Sequence, residues 1–194
     1  IPFLLAELKS KGIGLEAVDY VIVTHVHLDH AGGAGEIMRQ LPNAQLAVHP
    51  RGAPHMINPA RLIASASSVY GAEEVRRTYG DLVPVPAERV IEIRDETLIN
   101  LAGRSLRCLD TPGHARHHFS IWDAASRSFF AGDTFGLSYR QFDTVNGAFI
   151  LPTTTPIQFD PVALKGSIAR MLLFKPEAMF LTHYSRVTGV ERLG

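Results

Sequence analysis

Apolar positions recur along this chain in short aliphatic and β-branched runs, and a polar cluster stands directly after four of them. Val21-Ile22-Val23 closes a strand predicted over 18–23 and leads into His25-Val26-His27-Leu28-Asp29-His30, then Ala31-Gly32-Gly33. Strands predicted over 106–109, 128–131 and 178–181 lead in the same way to Thr111-Pro112-Gly113-His114, to Gly132-Asp133-Thr134 and to Thr182-His183. Sheet proteins build their sites at the ends of neighbouring strands, so clusters distant in sequence can converge.

The rest of the pattern fills in around these four. Leu4, Leu5 and Leu8 predict an opening helix that Gly12 and Gly14 break. A helix over 34–41 carries Ile37, Met38 and Leu41 on one face and stops at Pro42; a strand follows over 45–48. Residues 59–79 read as helical, with Glu73, Glu74, Arg76 and Arg77 on a solvated face. After a Pro-rich turn at 83–86, strands are expected over 90–93, 97–101 and 120–123, and a turn at 124–127 joins the last to the strand at 128–131. Asp160 and Pro161 have the chemistry of an N-cap and first helical residue, and that helix should run to about Phe174. The stretch 135–159 shows little periodicity, and an irregular connection of that length is usually functional or mobile. This order of elements suits sheets with helices packed outside them, an α+β arrangement.

The first cluster carries the strongest chemistry. Side chains two apart at a strand end point the same way, so His25 and His27 can face one ion, leaving Asp29 and His30 to face elsewhere, toward a second ion ~3.5–4 Å from the first. Three imidazoles and a carboxylate suit zinc, iron or manganese. His49 and His55 have no partner at ligand spacing and read as surface or loop histidines.

Thr24-His25-Val26-His27-Leu28-Asp29-His30-Ala31-Gly32-Gly33 resembles the signature of the metallo-β-lactamase superfamily, and the three later clusters match its remaining motifs in order. The resemblance covers most of the chain and implies a four-layer αββα sandwich in a single domain over 1–194. It implies that His25, His27 and His114 hold one metal, that Asp29, His30 and His183 hold another, and that Asp133 bridges them with one oxygen for each. The cofactors would be two divalent ions, zinc first, with iron or manganese also suited, and Asp29 and Asp133 are the carboxylates assigned to catalysis. A water between such ions loses a proton near neutral pH and becomes the nucleophile. In glyoxalase-II-like members a histidine also stands where His118 is, as support behind the ligands, while His117 reads as solvated or substrate-facing. Tyr139, Arg140 and Tyr184, a few residues beyond ligand motifs, are the expected substrate contacts. Phe142 and Phe149 would extend Tyr139 into an apolar wall, with Arg140 as a charged anchor.

The function expected from this resemblance is hydrolysis of an ester-like bond in a small molecule, a thioester of the glyoxalase-II type or a lactone. A zinc β-lactamase fits less well, because Asp133 fills a bridging position those enzymes usually fill otherwise. A phosphodiesterase of the ribonuclease Z type is the alternative, although no basic run or substrate-clamping arm is in view. A di-iron flavodiiron-like site would carry Glu at the position of His27, and mononuclear-iron persulfide dioxygenases omit several ligands that stand here.

Composition narrows the partners. Nineteen basic and nineteen acidic residues sum to zero charge, which argues against a general nucleic-acid or anionic-membrane surface, and nearly half of the 194 residues are apolar, enough for a sizeable core. No apolar run approaches the ~18 residues of a transmembrane helix. One cysteine, Cys108, excludes an intrachain disulfide, reads as a strand residue and fits a reducing, cytoplasmic setting. The sequence does not speak to oligomeric state. Ile1-Pro2-Phe3 opens without Met, and family members resemble this segment after an earlier set of strands. The expectation is therefore a domain lacking N-terminal strands and a C-terminal tail.

Overall fold

The computed structural model describes residues 1–155 and 157–194, and the chain divides into two compact units, Ile1–Ile93 and Arg94–Gly194. The expected α+β character holds in both. In the first unit, α1 (Pro2–Ser10) and a 3₁₀ turn (Leu15–Ala17) lead to β1 (Tyr20–Ile22). There follow α2 (Leu28–Ala31), α3 (Ala34–Gln40), β2 (Gln45–Val48), α4 (Ala53–Ile57), α5 (Ala60–Tyr70), α6 (Ala72–Tyr79) and β3 (Val90–Glu92). The three strands form a parallel sheet in the order β1-β2-β3. Val23, Val26, Met38, Leu46 and Val48 are buried in its core.

The helical stretch predicted over 59–79 is broken at Gly71, whose φ of 88° ends α5 and begins α6. Strand β1 covers Tyr20–Ile22, the middle of the strand expected over 18–23.

The second unit holds β4 (Leu98–Leu101), β5 (Arg104–Asp110), β6 (Phe119–Asp123), β7 (Ser128–Gly132), α7 (Pro161–Leu172), β8 (Ala178–Leu181), β9 (Ser185–Val187) and α8 (Val190–Leu193). Its sheet runs β4 to β9 in sequence order, antiparallel except for β7 and β8, which are parallel and joined through α7. Asp160 caps α7 as expected, its Oδ1 accepting from the N–H groups of Val162 and Ala163 at 3.0 Å each. Strand β9 and helix α8 lie beyond what periodicity shows, each being too short to build a pattern. Cys108 faces the interior of β5, where burial pushes its thiol up to about 12, so it is an inert core residue.

One buried charge fixes the β5–β6 register. The Arg104 guanidinium donates to both oxygens of Asp123, the Ser126 hydroxyl to one of them, and together they hold that carboxyl well below the usual carboxylate range although burial opposes them. A carboxyl lowered on folding stabilises fully above its unfolded value of ~3.9, and that contribution is lost as the pH falls toward the folded value. Urea midpoints of wild type and Asp123→Asn should therefore differ most above about pH 5 and converge in acid. A gap that stays constant across that range would dismiss Asp123 as the acid-sensitive group.

Candidate metal centre

In the first unit the donors sit where β1 gives way to α2. Val26 is fully buried and anchors the turn, and Gly52 makes room for it: a Cβ there would stand 2.8 Å from Val26 Cγ1. With Val26 pinned inward, the histidines on either side come together, His25 Nε2 lying 3.0 Å from His27 Nδ1. Strand alternation is not the cause, because β1 ends at Ile22 and the histidines occupy the bend after it. Asp29 and His30 ride on α2, with Asp29 Oδ2 at 3.3 Å from His30 Nε2. His30 does not face away from His25 as expected; their ring centroids are 4.0 Å apart. Tyr79 at the end of α6 is drawn into this neighbourhood, its phenol raised first by burial and then by the charge of Asp29. Its position is set by tertiary packing, and no local signal marked it.

In the second unit three strand ends deliver the remaining donors. Gly113 holds φ of 131°, and a Cβ there would meet the backbone N of Leu164 at 2.3 Å, so the start of α7 packs directly on the turn that presents His114. His114 is buried, its Nδ1 donating to the carbonyl of Thr153 at 3.2 Å. That bond leaves the lone pair on Nε2, which lies 3.5 Å from Asp133 Oδ2. His183 Nε2 lies at the same distance, 3.5 Å, from the same oxygen. One carboxylate oxygen thus faces both histidines, where the sequence suggested one oxygen for each.

Behind Asp133 lies a buried hydrogen-bond network. The Asp133 N–H donates to His118 Nε2 at 3.0 Å, which places the ring proton on Nδ1, against Thr111 Oγ1 at 2.9 Å and Thr134 Oγ1 at 3.0 Å. The Thr134 hydroxyl donates to Thr111 O, the Thr111 hydroxyl to Ser120 Oγ, and the Ser120 hydroxyl to Ala131 O. Each donor has an acceptor, so the expected supporting place of His118 is matched by its contacts. His117 is buried, not solvated, and His49 is buried as well, accepting from Arg51 N–H at 3.0 Å. His55 lies half-buried on α4.

The residues expected to meet substrate lie near His183. Ring centroids of Tyr184 and Tyr139 are 4.8 Å apart, Tyr139 and Phe142 5.9 Å, and Phe142 and Phe149 5.3 Å, a continuous aromatic row. Phe142 and Phe149 also line a cavity of about 340 Å³ with Ile150, Leu193 and Arg192. Arg140 is not a free charged anchor. Its guanidinium pairs with Asp143 and donates to the carbonyls of Tyr184 and Arg186, holding a tight β8–β9 turn in which Tyr184 and Ser185 have φ of 73° and 78°. Such conformations cost about 1–3 kcal/mol each and need a clamp of this kind.

The four donor pairs, two within each unit, stand 3.0–3.5 Å apart. Two ligands on one tetrahedral ion at ~2.0–2.2 Å stand about 3.3–3.6 Å apart, so imidazole and carboxylate donors at this spacing suit a divalent transition metal. Fold and donor chemistry together define a metal-binding α+β protein.

Known proteins extend this. The sequence model of the metallo-beta-lactamase superfamily matches residues 2–183, and the chain belongs to that superfamily. It is 30% identical over 173 residues to the metallo-beta-lactamase fold-containing protein ST1585 of Sulfurisphaera tokodaii, covering 87% of this chain and 61% of that protein. It is 34% identical over 131 residues to a hydroxyacylglutathione hydrolase of Rhodopseudomonas palustris, covering 68% of this chain and 38% of the enzyme. The chain thus spans less than two thirds of these relatives. Among solved structures, ST1585 from Sulfolobus tokodaii matches with a TM-score of 0.75 at 27% identity, over 90% of this chain and 64% of that one. TTHA1623, solved in a di-iron-bound form, matches with a TM-score of 0.66 at 25% identity, over 98% and 81%. The metallo-β-lactamase-like α+β fold expected from the motifs is therefore the fold. Among the described residues no helix is long and apolar enough to cross a membrane.

Proposed function

We propose that the chain is the metal-binding core of a hydrolase acting on an ester-like bond, a thioester or a lactone, in a small molecule. The observation that carries this reading is Asp133 Oδ2 at 3.5 Å from both His114 Nε2 and His183 Nε2, a spacing that suits a carboxylate shared between two ions. In this reading His25, His27 and His114 hold one ion, Asp29, His30 and His183 the other, and Asp133 both, zinc being first in line, with iron or manganese also suited. When bound, such ions supply an activated water and a Lewis acid for the carbonyl oxygen. The chain's own residues do the rest. His118 fixes the Asp133 backbone through its N–H, and the Arg140 clamp holds the turn that follows His183. Tyr139 and Tyr184 offer an aromatic face to the apolar part of a substrate. The relatives named hydroxyacylglutathione hydrolase support thioesters as the first class to try.

The test joins metal analysis to a substrate panel. Purified protein should hold about two transition-metal ions per chain, because seven ligand side chains exceed the needs of one tetrahedral ion. It should hydrolyse thioesters or lactones faster than phosphodiesters. Tyr139→Ala should shift relative kcat/KM across the panel at unchanged metal content. A single ion at saturation, or a preference for phosphodiesters, would defeat the reading.

A further inference from the structure

Within the stretch 135–159, read from sequence as a substrate wall, Ser138, Thr153 and Thr155 are bonded to the backbone of the candidate ligand motifs in their unit. Ser138 N–H donates to the carbonyl of His183 at 3.4 Å, and Thr155 Oγ1 donates to the carbonyl of His114 at 3.0 Å. Thr153 does more. Its hydroxyl donates to the carbonyl of Asp133 at 2.7 Å, while its own carbonyl accepts from His114 Nδ1 at 3.2 Å. Thr153 is buried, so neither bond competes with solvent.

From this geometry we infer that Thr153 is a positioning residue for the metal centre, setting the orientation of the His114 ring and its spacing from Asp133 through one residue bonded to both. The logic is mechanical. A histidine ring turns about χ2 unless its far nitrogen is held, and the partner that holds it also decides which nitrogen keeps the lone pair. Here the partner is a backbone carbonyl, an acceptor that obliges Nδ1 to carry the proton and leaves Nε2 for the metal. A carbonyl in an irregular loop holds a ring only if the loop is itself held. The Thr153 hydroxyl supplies that, tying the same residue to the backbone carbonyl of Asp133. Any drift of 153 would turn the ring and change the 3.5 Å separation of Nε2 from Oδ2 together.

This inference rests on the reading of His114 and Asp133 as ligands, and its test separates the two. Thr153→Val keeps the shape and the carbonyl but removes the hydroxyl; Thr153→Ser keeps the hydroxyl. Zinc affinity is measured by competition with a chromophoric chelator, and the visible spectrum of the cobalt-substituted protein reports donor geometry. Thr153→Val should bind zinc about 10–100-fold more weakly, the cost typical of disturbing the residues behind a metal ligand, and should alter the cobalt bands. Thr153→Ser should match wild type in both. Melting of the metal-free forms identifies a variant that fails to fold; in that event Thr153→Ala, which also removes the hydroxyl and keeps the carbonyl, takes its place with the same expected weakening. Zinc affinity and cobalt bands unchanged in Thr153→Val, or equal losses in the Val and Ser variants, overturn the inference. Wild-type protein that binds no zinc overturns the ligand reading instead.

Discussion

Asp133→Asn should lose most of its bound metal and cut turnover by well over 100-fold, while the metal-free protein keeps its fold. The substitution preserves shape and removes one negative charge from an oxygen that faces both His114 and His183 at 3.5 Å. A neutral amide is a poor ligand for two cations, so the loss should exceed the ~10–100-fold typical of changes behind the ligands. The fold should survive because the residue is held by its backbone, through the N–H to His118 and the carbonyl from Thr153 Oγ1, and Asn leaves both bonds in place. Metal content, turnover of the best substrate and the unfolding midpoint of the metal-free form are the measurements. Full activity with a full metal complement would show that Asp133 holds neither ion.

The candidate donors were legible because metal ligation needs particular residue types at particular spacings, and four motifs in order leave little freedom. The strands that deliver them were legible for a different reason: β7 and β8 are mostly buried and carry short apolar runs, and β5 places Leu106, Cys108 and Leu109 in the interior. What stayed hidden was decided by contacts distant in sequence. Arg140 looks like an anchor for an anionic substrate until its guanidinium is found on the carbonyls of Tyr184 and Arg186, more than forty residues away. Thr153 and Thr155 look like loop polarity, because a threonine carries no mark of the carbonyl it will meet. The burial of His117 likewise comes from tertiary packing, which a local pattern of polar neighbours cannot reveal. The tilt of His30 toward His25 follows from α2, a helix of four residues that no periodicity could announce.

His118→Leu should be the most damaging change outside the ligands themselves, costing stability and metal together. His118 is fully buried, and its two nitrogens serve opposite needs: Nε2 accepts from the Asp133 N–H, and Nδ1 donates into the pair of threonine hydroxyls. Leucine fills similar volume but leaves a buried backbone N–H with its acceptor gone and two hydroxyls short of a donor. Each buried group left unsatisfied costs about 1–3 kcal/mol, so a loss of about 2–5 kcal/mol is expected by urea denaturation of the metal-free protein. The Asp133 N–H would then move to find another acceptor, carrying the carboxylate with it, and zinc affinity should fall alongside stability. His118→Gln separates the two effects, since its side-chain carbonyl can take the place of Nε2 while its NH₂ reaches the threonines imperfectly. It should recover much of the zinc affinity and only part of the stability. If Leu and Gln weaken zinc equally, the Asp133 N–H bond is not what places the carboxylate; if Leu costs nothing in stability, the buried network does not contribute to the fold at all.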